Sequence, residues 1–140
     1  MPVAVKQGPF DPWAVLAARA EGGGNGATAC FVGTMRDLSE GEAVEGMTLE
    51  HYPGMTDRYL ESIEAEARRR WDISDALIVH RVGEIVPGEA IVLVAVWAAH
   101  RKAAFEACRY LIEELKHRAP FWKKERLADR SRWVRSNTPG

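Results

Sequence analysis

An uncharged, apolar run of nine residues, Ala90–Ala98 (AIVLVAVWA), constrains the fold more than any other stretch of the chain. Its β-branched residues favour a strand, and without polar alternation such a strand is stable only when both of its faces are covered. Extended to Ala99, the run is about half of the ~20 residues that a membrane-spanning helix needs. We therefore expect the central strand of a covered sheet and no membrane span.

The residues that follow this run predict the longest helix. Arg101–Arg118 has apolar residues at helical spacing on one face and charged residues on the other, and Pro120 ends the pattern. A short helix is expected after Asp11, a suitable N-cap that precedes proline. Another is expected from an N-cap at Thr56 to about Arg70.

The remaining β-rich segments occur mostly as neighbouring pairs. Strands or extended segments are predicted at 27–35, 44–52, 76–82, 90–98, 121–126 and 132–135. Paired strands between helices favour an α+β fold with a mostly antiparallel sheet and about three helices. The length of 140 residues suits a single domain at 1–140, with a variable N-terminal region at 1–26 and a mobile polar loop at 36–43.

Composition and termini indicate the class of protein. The N-terminus has no secretory signal pattern, and two cysteines make no disulfide framework, so the expected location is cytoplasmic. The net charge is −1, but residues 101–140 carry eleven Lys and Arg against five acidic residues. This asymmetry suggests either a localised anion site or a solvated charged helix and tail.

The junction between the apolar strand and its helix holds His100 and Arg101. The free N–H groups and the dipole of a helix N-terminus favour anions, so two cations there indicate that an anion is bound. Alternatively, His100 satisfies a buried carbonyl. Arg36 follows a strand and is a surface charge unless the sheet brings it close to His100 and Arg101.

A second candidate site follows the long helix. Lys116 lies in its last turn, and Lys123 follows in an extended segment whose alternation puts Phe121 and Lys123 on one side. Two neighbouring ammonium groups under aromatic cover lower each other's pKa, and a neutral lysine can act as a base or nucleophile. The alternative is a pair of solvated lysines. No metal-binding or cofactor-binding motif is present, so neither is expected.

The sequence resembles the catalytic (large) subunit family of molybdopterin synthase. The resemblance rests on EHYPGMT at 50–56, HRVGE at 80–84 with PGE at 87–89, AHR at 99–101 and RAPFWKKE at 118–125. It extends from about Ala27 to Arg135. The fold it implies is of the α/β hammerhead type.

The resemblance implies a sulfurtransferase of molybdenum-cofactor biosynthesis. It converts cyclic pyranopterin monophosphate to molybdopterin by inserting two dithiolene sulfurs. The sulfur comes from the Gly-Gly thiocarboxylate terminus of a small ubiquitin-like partner. The large subunit is a homodimer, and a small subunit at each end completes a heterotetramer.

The same resemblance assigns roles to particular residues. Lys116 and Lys123 match the catalytic lysines and also contact the substrate, while Arg36, His100 and Arg101 match the set that holds its phosphate. Arg118 and Lys124 are possible lining residues of the same groove.

The alternative is a binding module or scaffold subunit without catalysis. Its basic C-terminal end would hold nucleic acid or an acidic partner. The resemblance favours the enzyme and implies neither nucleic-acid nor membrane binding.

Overall fold

A computed structural model describes residues 2–19 and 25–134. In these ranges the helices are α1 (Pro12–Arg19), α2 (Met55–Arg70) and α3 (Arg101–Arg118). The strands are β1 (Val3–Lys6), β2 (Ala27–Thr34), β3 (Leu38–Ser39), β4 (Glu42–Ala43), β5 (Gly46–His51), β6 (Asp75–Arg81), β7 (Gly83–Ile85), β8 (Ala90–Ala98), β9 (Phe121–Arg126) and β10 (Ser131–Trp133).

The first sheet is built around the apolar run. Its order is β1-β6-β8-β2, in which β1 pairs with β6 in parallel and the other pairings are antiparallel. On one face, side chains of β8 pack against the apolar stripes of α2 and α3. On the other face, Leu93, Ala95 and Trp97 pack against residues of α1. Every residue of β8 is buried, so the prediction of a central, covered strand is confirmed.

The second sheet has the order β10-β9-β5-β7, and its pairings are antiparallel. Its β5 and β9 carry parts of the two most distinctive sequence strings, EHYPGMT and RAPFWKKE. They lie side by side, with His51 opposite Phe121 and Glu50 opposite Trp122. A separate apolar cluster packs beneath this sheet; its buried members from the sheet strands are Met47, Leu49 and Ile85.

The architecture confirms the predicted α+β class, the three helices and the mostly antiparallel pairing. Three features were not predicted: β1, β7 and the β3–β4 hairpin, which occupies part of the expected loop at 36–43. Each is four residues or fewer per strand, too short for a clear alternating pattern. Of the extended segment predicted at 132–135, residue 135 lies outside the described residues.

The start of α2 differs from the prediction by two residues. Gly54, with a φ of +83°, is the N-cap, and its N–H donates to Asp57 Oδ2 at 3.2 Å. Thr56 is instead buried inside the first turn, where its hydroxyl accepts from the Tyr52 N–H at 3.2 Å. The left-handed backbone at Gly54 explains why glycine occupies the turn.

Within the described residues, no helix is long and apolar enough to span a membrane. The same residues form no cluster of three His, Cys, Asp or Glu side chains able to hold a metal ion.

Candidate active site

The path of the chain brings Lys116 and Lys123 together. Helix α3 begins just after the end of β8 and runs back along the sheet, so Lys116 in its last turn returns to the start of β8. The chain turns at Pro120, and β9 then carries Lys123 to the same place on its inward face. The two amino groups hydrogen-bond each other, and we call Lys116 and Lys123 the lysine pair.

Partial burial lowers the pKa of both lysines of this pair. Desolvation lowers the pKa of Lys116, whereas its hydrogen bond to Lys123 acts in the opposite direction. Desolvation and the charge of Lys116 together lower the pKa of Lys123 to about 8. Lys116 is therefore the charged donor and Lys123 the amine that most readily becomes neutral. A neutral amine beside an ammonium group can accept a proton and return it.

Two cavities meet at the lysine pair. The smaller cavity has a volume of about 260 Å³ and the larger cavity about 520 Å³. Both are lined by the pair and by Ile91, Val92 and Val134. The amines are therefore positioned to act on groups that enter from either side.

The larger cavity is lined by Arg36 and by the β3–β4 hairpin. The hairpin is attached to β10, because Arg132 bonds Glu42 at 2.7 Å and the Ser39 carbonyl at 3.1 Å. Arg132 also donates to Glu125 at 3.0 Å. Glu125 lies on the same inward face of β9 as Lys123. Without its contact to Arg132, this carboxylate would be available to pair with the ammonium group of Lys123.

His100 and Arg101 lie at the opposite end of the first sheet. Antiparallel pairing puts Ala27 beside Ala98, next to His100, but puts Thr34 beside Ala90, on the side of Arg36. Along α3, Lys116 is 15 residues from Arg101, which corresponds to about 22 Å of helix axis. Both His100 and Arg101 are exposed. One chain thus brings together Arg36, Lys116 and Lys123 but leaves His100 and Arg101 remote from them.

The two predicted groove residues, Arg118 and Lys124, do not line either cavity. Arg118 is exposed and pairs with Glu114 at 3.4 Å. Lys124 points to the outward face of β9, where its amino group lies 5.5 Å from the ring centroid of Trp133. The alternation of β9 that brings Lys123 inward necessarily turns Lys124 outward.

Sequence reasoning missed two neighbours of the pair, His80 and Glu125, whereas the predicted position of Phe121 on the side of Lys123 is confirmed. His80 and Phe121 line the smaller cavity, and Glu125 lines the larger cavity. A histidine inside the apolar strand pattern ALIVHRV was the available signal for His80, because a buried polar side chain needs a specific partner. Glu125 could have been found from its i,i+2 relation to Lys123 on one strand face.

The fold and this site define an α+β domain that combines a poised amine with an arginine-lined cavity, which suits acid–base chemistry on an anionic ligand. Comparison with known proteins narrows the class. The family model described as "MoaE protein" matches residues 5–118. A curated relative from Pseudomonas aeruginosa, the molybdopterin synthase catalytic subunit, is 50% identical over 135 residues, covering 96% of this chain and 90% of the relative.

Solved structures agree with that match. A molybdopterin biosynthesis MoaE protein from Burkholderia ambifaria superposes with a TM-score of 0.81 at 49% identity, covering 99% of this chain and 91% of the other. A complex of subunits 1 and 2 of molybdopterin-converting factor from Helicobacter pylori shares the fold, with a TM-score of 0.80 at 23% identity, covering 98% and 94%. The chain belongs to the MoaE family.

Proposed function

We propose that this chain is the catalytic subunit of a molybdopterin synthase, a sulfurtransferase of molybdenum-cofactor biosynthesis. It converts cyclic pyranopterin monophosphate to molybdopterin by inserting two dithiolene sulfurs. The observation that carries the proposal is the half-buried lysine pair on the wall between two cavities, in a member of the MoaE family. The name of the Pseudomonas relative, a catalytic subunit, supports a second, non-catalytic chain as partner.

The partner is a small ubiquitin-like protein whose Gly-Gly terminus carries a thiocarboxylate. Its sulfur attacks a carbon of the pterin side chain and displaces the oxygen on that carbon, which leaves as water or stays on the phosphate as the cyclic ester opens. Water then cleaves the bond between that sulfur and the partner's acyl carbon. The partner leaves with an ordinary carboxylate, and a second partner delivers the second sulfur. Lys116 stabilises the negative charge that develops on the acyl oxygen when water attacks, and Lys123 moves protons, because its pKa of about 8 allows both charge states near neutral pH.

The phosphate of the substrate is held by Arg36 together with His100 and Arg101 from a second copy of the chain. The separation of about 22 Å along α3 supports this division, since no side chain spans that distance. Guanidinium groups bind phosphate in a bidentate manner, which suits Arg36 and Arg101 to the role. The resulting assembly is a homodimer with one small subunit at each end, a heterotetramer.

The test compares three lysine variants with thiocarboxylated partner and measures the dithiolene product. Lys116→Met and Lys123→Met each remove one amine, and we expect a loss of rate of about 100-fold or more. Lys124→Met is the matched control, since Lys124 is on the same strand but faces outward, and should retain the wild-type rate. Full activity in both cavity variants, with partner binding unchanged, would contradict the proposal.

A further inference from the structure

His80 is a buried residue that the chemistry above does not use. It lies near the end of β6, is 7% exposed and borders the smaller cavity together with the lysine pair. Its ring stacks on Phe121 with a centroid distance of 3.9 Å and an interplanar angle of 15°. Phe121 is on the same inward face of β9 as Lys123, so the stack fixes the imidazole beside the site.

The hydrogen bond of His80 defines its tautomer. Nδ1 lies 2.9 Å from the Arg81 carbonyl oxygen, and since a carbonyl only accepts, Nδ1 carries the hydrogen. Lys116 from α3, Lys123 from β9 and His51 from β5 are the titratable groups that face the ring. Burial, with a further contribution from these groups, lowers the pKa of His80 to about 3. The imidazole is therefore neutral near pH 7, and Nε2 is an unprotonated acceptor.

The two cavities differ in what they can hold. At about 520 Å³, the larger cavity falls within the usual range of roughly 300–1,000 Å³ for small-molecule sites and contains Arg36, which suits a phosphorylated fused-ring substrate. At about 260 Å³, the smaller cavity lies below that range, and apolar side chains such as Ile112 and Leu115 line it beside His80 and the lysine pair. It suits a group smaller than a fused-ring substrate, with both apolar and anionic parts.

The polar groups of the smaller cavity match the end of a peptide chain. A terminal carboxylate or thiocarboxylate needs cations, which the lysine pair supplies. One residue back, a backbone N–H enters with it and, once desolvated, needs an acceptor. A terminal glycine brings no side chain that this small cavity would have to accommodate.

We propose that His80 is a specificity residue for the peptide tail, with Nε2 accepting a hydrogen bond from the last backbone N–H of the partner's carboxyl terminus. This inference rests on the proposed function, because the tail is that of the proposed partner. In this role His80 adds a neutral acceptor to the cationic groups. The cavity then prefers a carboxylate that follows an amide N–H over a small free carboxylate.

The test uses two short synthetic peptides that end in Gly-Gly with a free carboxylate. In one of them an ester oxygen replaces the last N–H, which removes the donor and keeps the shape. Titration calorimetry with the full chain should show the ester binding the wild type about 10-fold more weakly, because Nε2 then loses its donor. His80→Asn places an amide near Nδ1 but has no acceptor at Nε2, and it should bind both peptides equally. His80→Gln has an amide oxygen near the position of Nε2 and should restore the preference.

Equal binding of both peptides to the wild type would overturn the role of His80 while leaving the tail in the cavity. A preference that survives in His80→Asn would also overturn it, since the acceptor would then be another group. If the amide peptide binds the wild type no better than Lys123→Met, the tail does not enter this cavity and the inference fails. Product formation by the wild type with thiocarboxylated partner tests the proposed function separately.

Discussion

At the level of single residues, burial of the charged Lys123 side chain lowers the free energy of unfolding. Its pKa is about 8 in the folded chain against an ordinary 10.5, so between these values the unfolded chain binds more protons. The free energy of unfolding therefore rises with pH between 8 and 10.5. Below pH 8, Lys123 is charged in both the folded and the unfolded chain, so the full free-energy cost of burying its charge remains. A poised base is destabilising at neutral pH, a trade-off common at active sites.

Lys123→Met should consequently stabilise the protein at pH 7. We expect a gain of about 1–3 kcal/mol in the free energy of unfolding, allowing for partial solvent access. The gain should shrink towards zero by about pH 10.5, and denaturant unfolding from pH 7 to 10.5 measures it. The same series on Lys124→Met should be flat. A Lys123→Met difference that does not depend on pH would mean that Lys123 has an ordinary pKa in the fold.

At the level of elements, a contact from β10 affects the pKa of Lys123 on the neighbouring strand β9. Arg132 of β10 engages Glu125 at 3.0 Å, and Glu125 is the group that raises the pKa of Lys123. Arg132→Met frees this carboxylate to pair with the amine. The pKa of Lys123 should rise, which lowers the fraction of neutral amine at pH 7 and moves the pH dependence of kcat to higher pH.

Arg130→Met is the control for this prediction. Arg130 also bonds Glu42 of the hairpin, at 2.8 Å, and within the described residues its other side-chain partner is Asp129 and not Glu125. If both variants shift the kcat profile equally, the effect comes from the hairpin and not from Glu125. A shift confined to Arg132→Met supports the electrostatic explanation.

The sequence predicted elements with strong periodicity and missed those that depend on partners distant in sequence. Arg101–Arg118 and Phe121–Arg126 have the predicted bounds because an amphipathic stripe and a proline break are local signals. Alternation also predicted correctly that Lys123 shares a face of β9 with Phe121 and that Lys124 lies on the other face, but it did not show which face is inward. The stacking of His80 on Phe121 and the pairing of Glu125 with Arg132 could not be predicted, since they depend on how β6, β9 and β10 approach one another.

At the level of the whole molecule, the distance between the two sets of cationic residues raises the question of whether a second copy of the chain completes the site. Arg36 and the lysine pair lie at one end of the first sheet, whereas His100 and Arg101 lie at the other. In a dimer with a two-fold axis, the sheet end that carries His100 and Arg101 in one copy can lie next to the sheet end that carries Arg36 and the lysine pair in the other copy. Strand β2, at the edge of the first sheet, exposes Phe31 in the part of the chain that the structure describes.

Mixing two inactive variants distinguishes a shared site from one built within a single chain. Lys123→Ala and Arg101→Ala leave both sites of their own homodimers defective. In a mixed dimer with shared sites, one site carries both substitutions and the other carries neither, so one intact site forms. Unfolding and refolding an equal mixture makes about half of the dimers mixed, and about a quarter of the wild-type rate should return. With sites built within one chain, every site stays defective and no activity returns. The rate of product formation before and after refolding is the measurement, and refolded single variants are the controls.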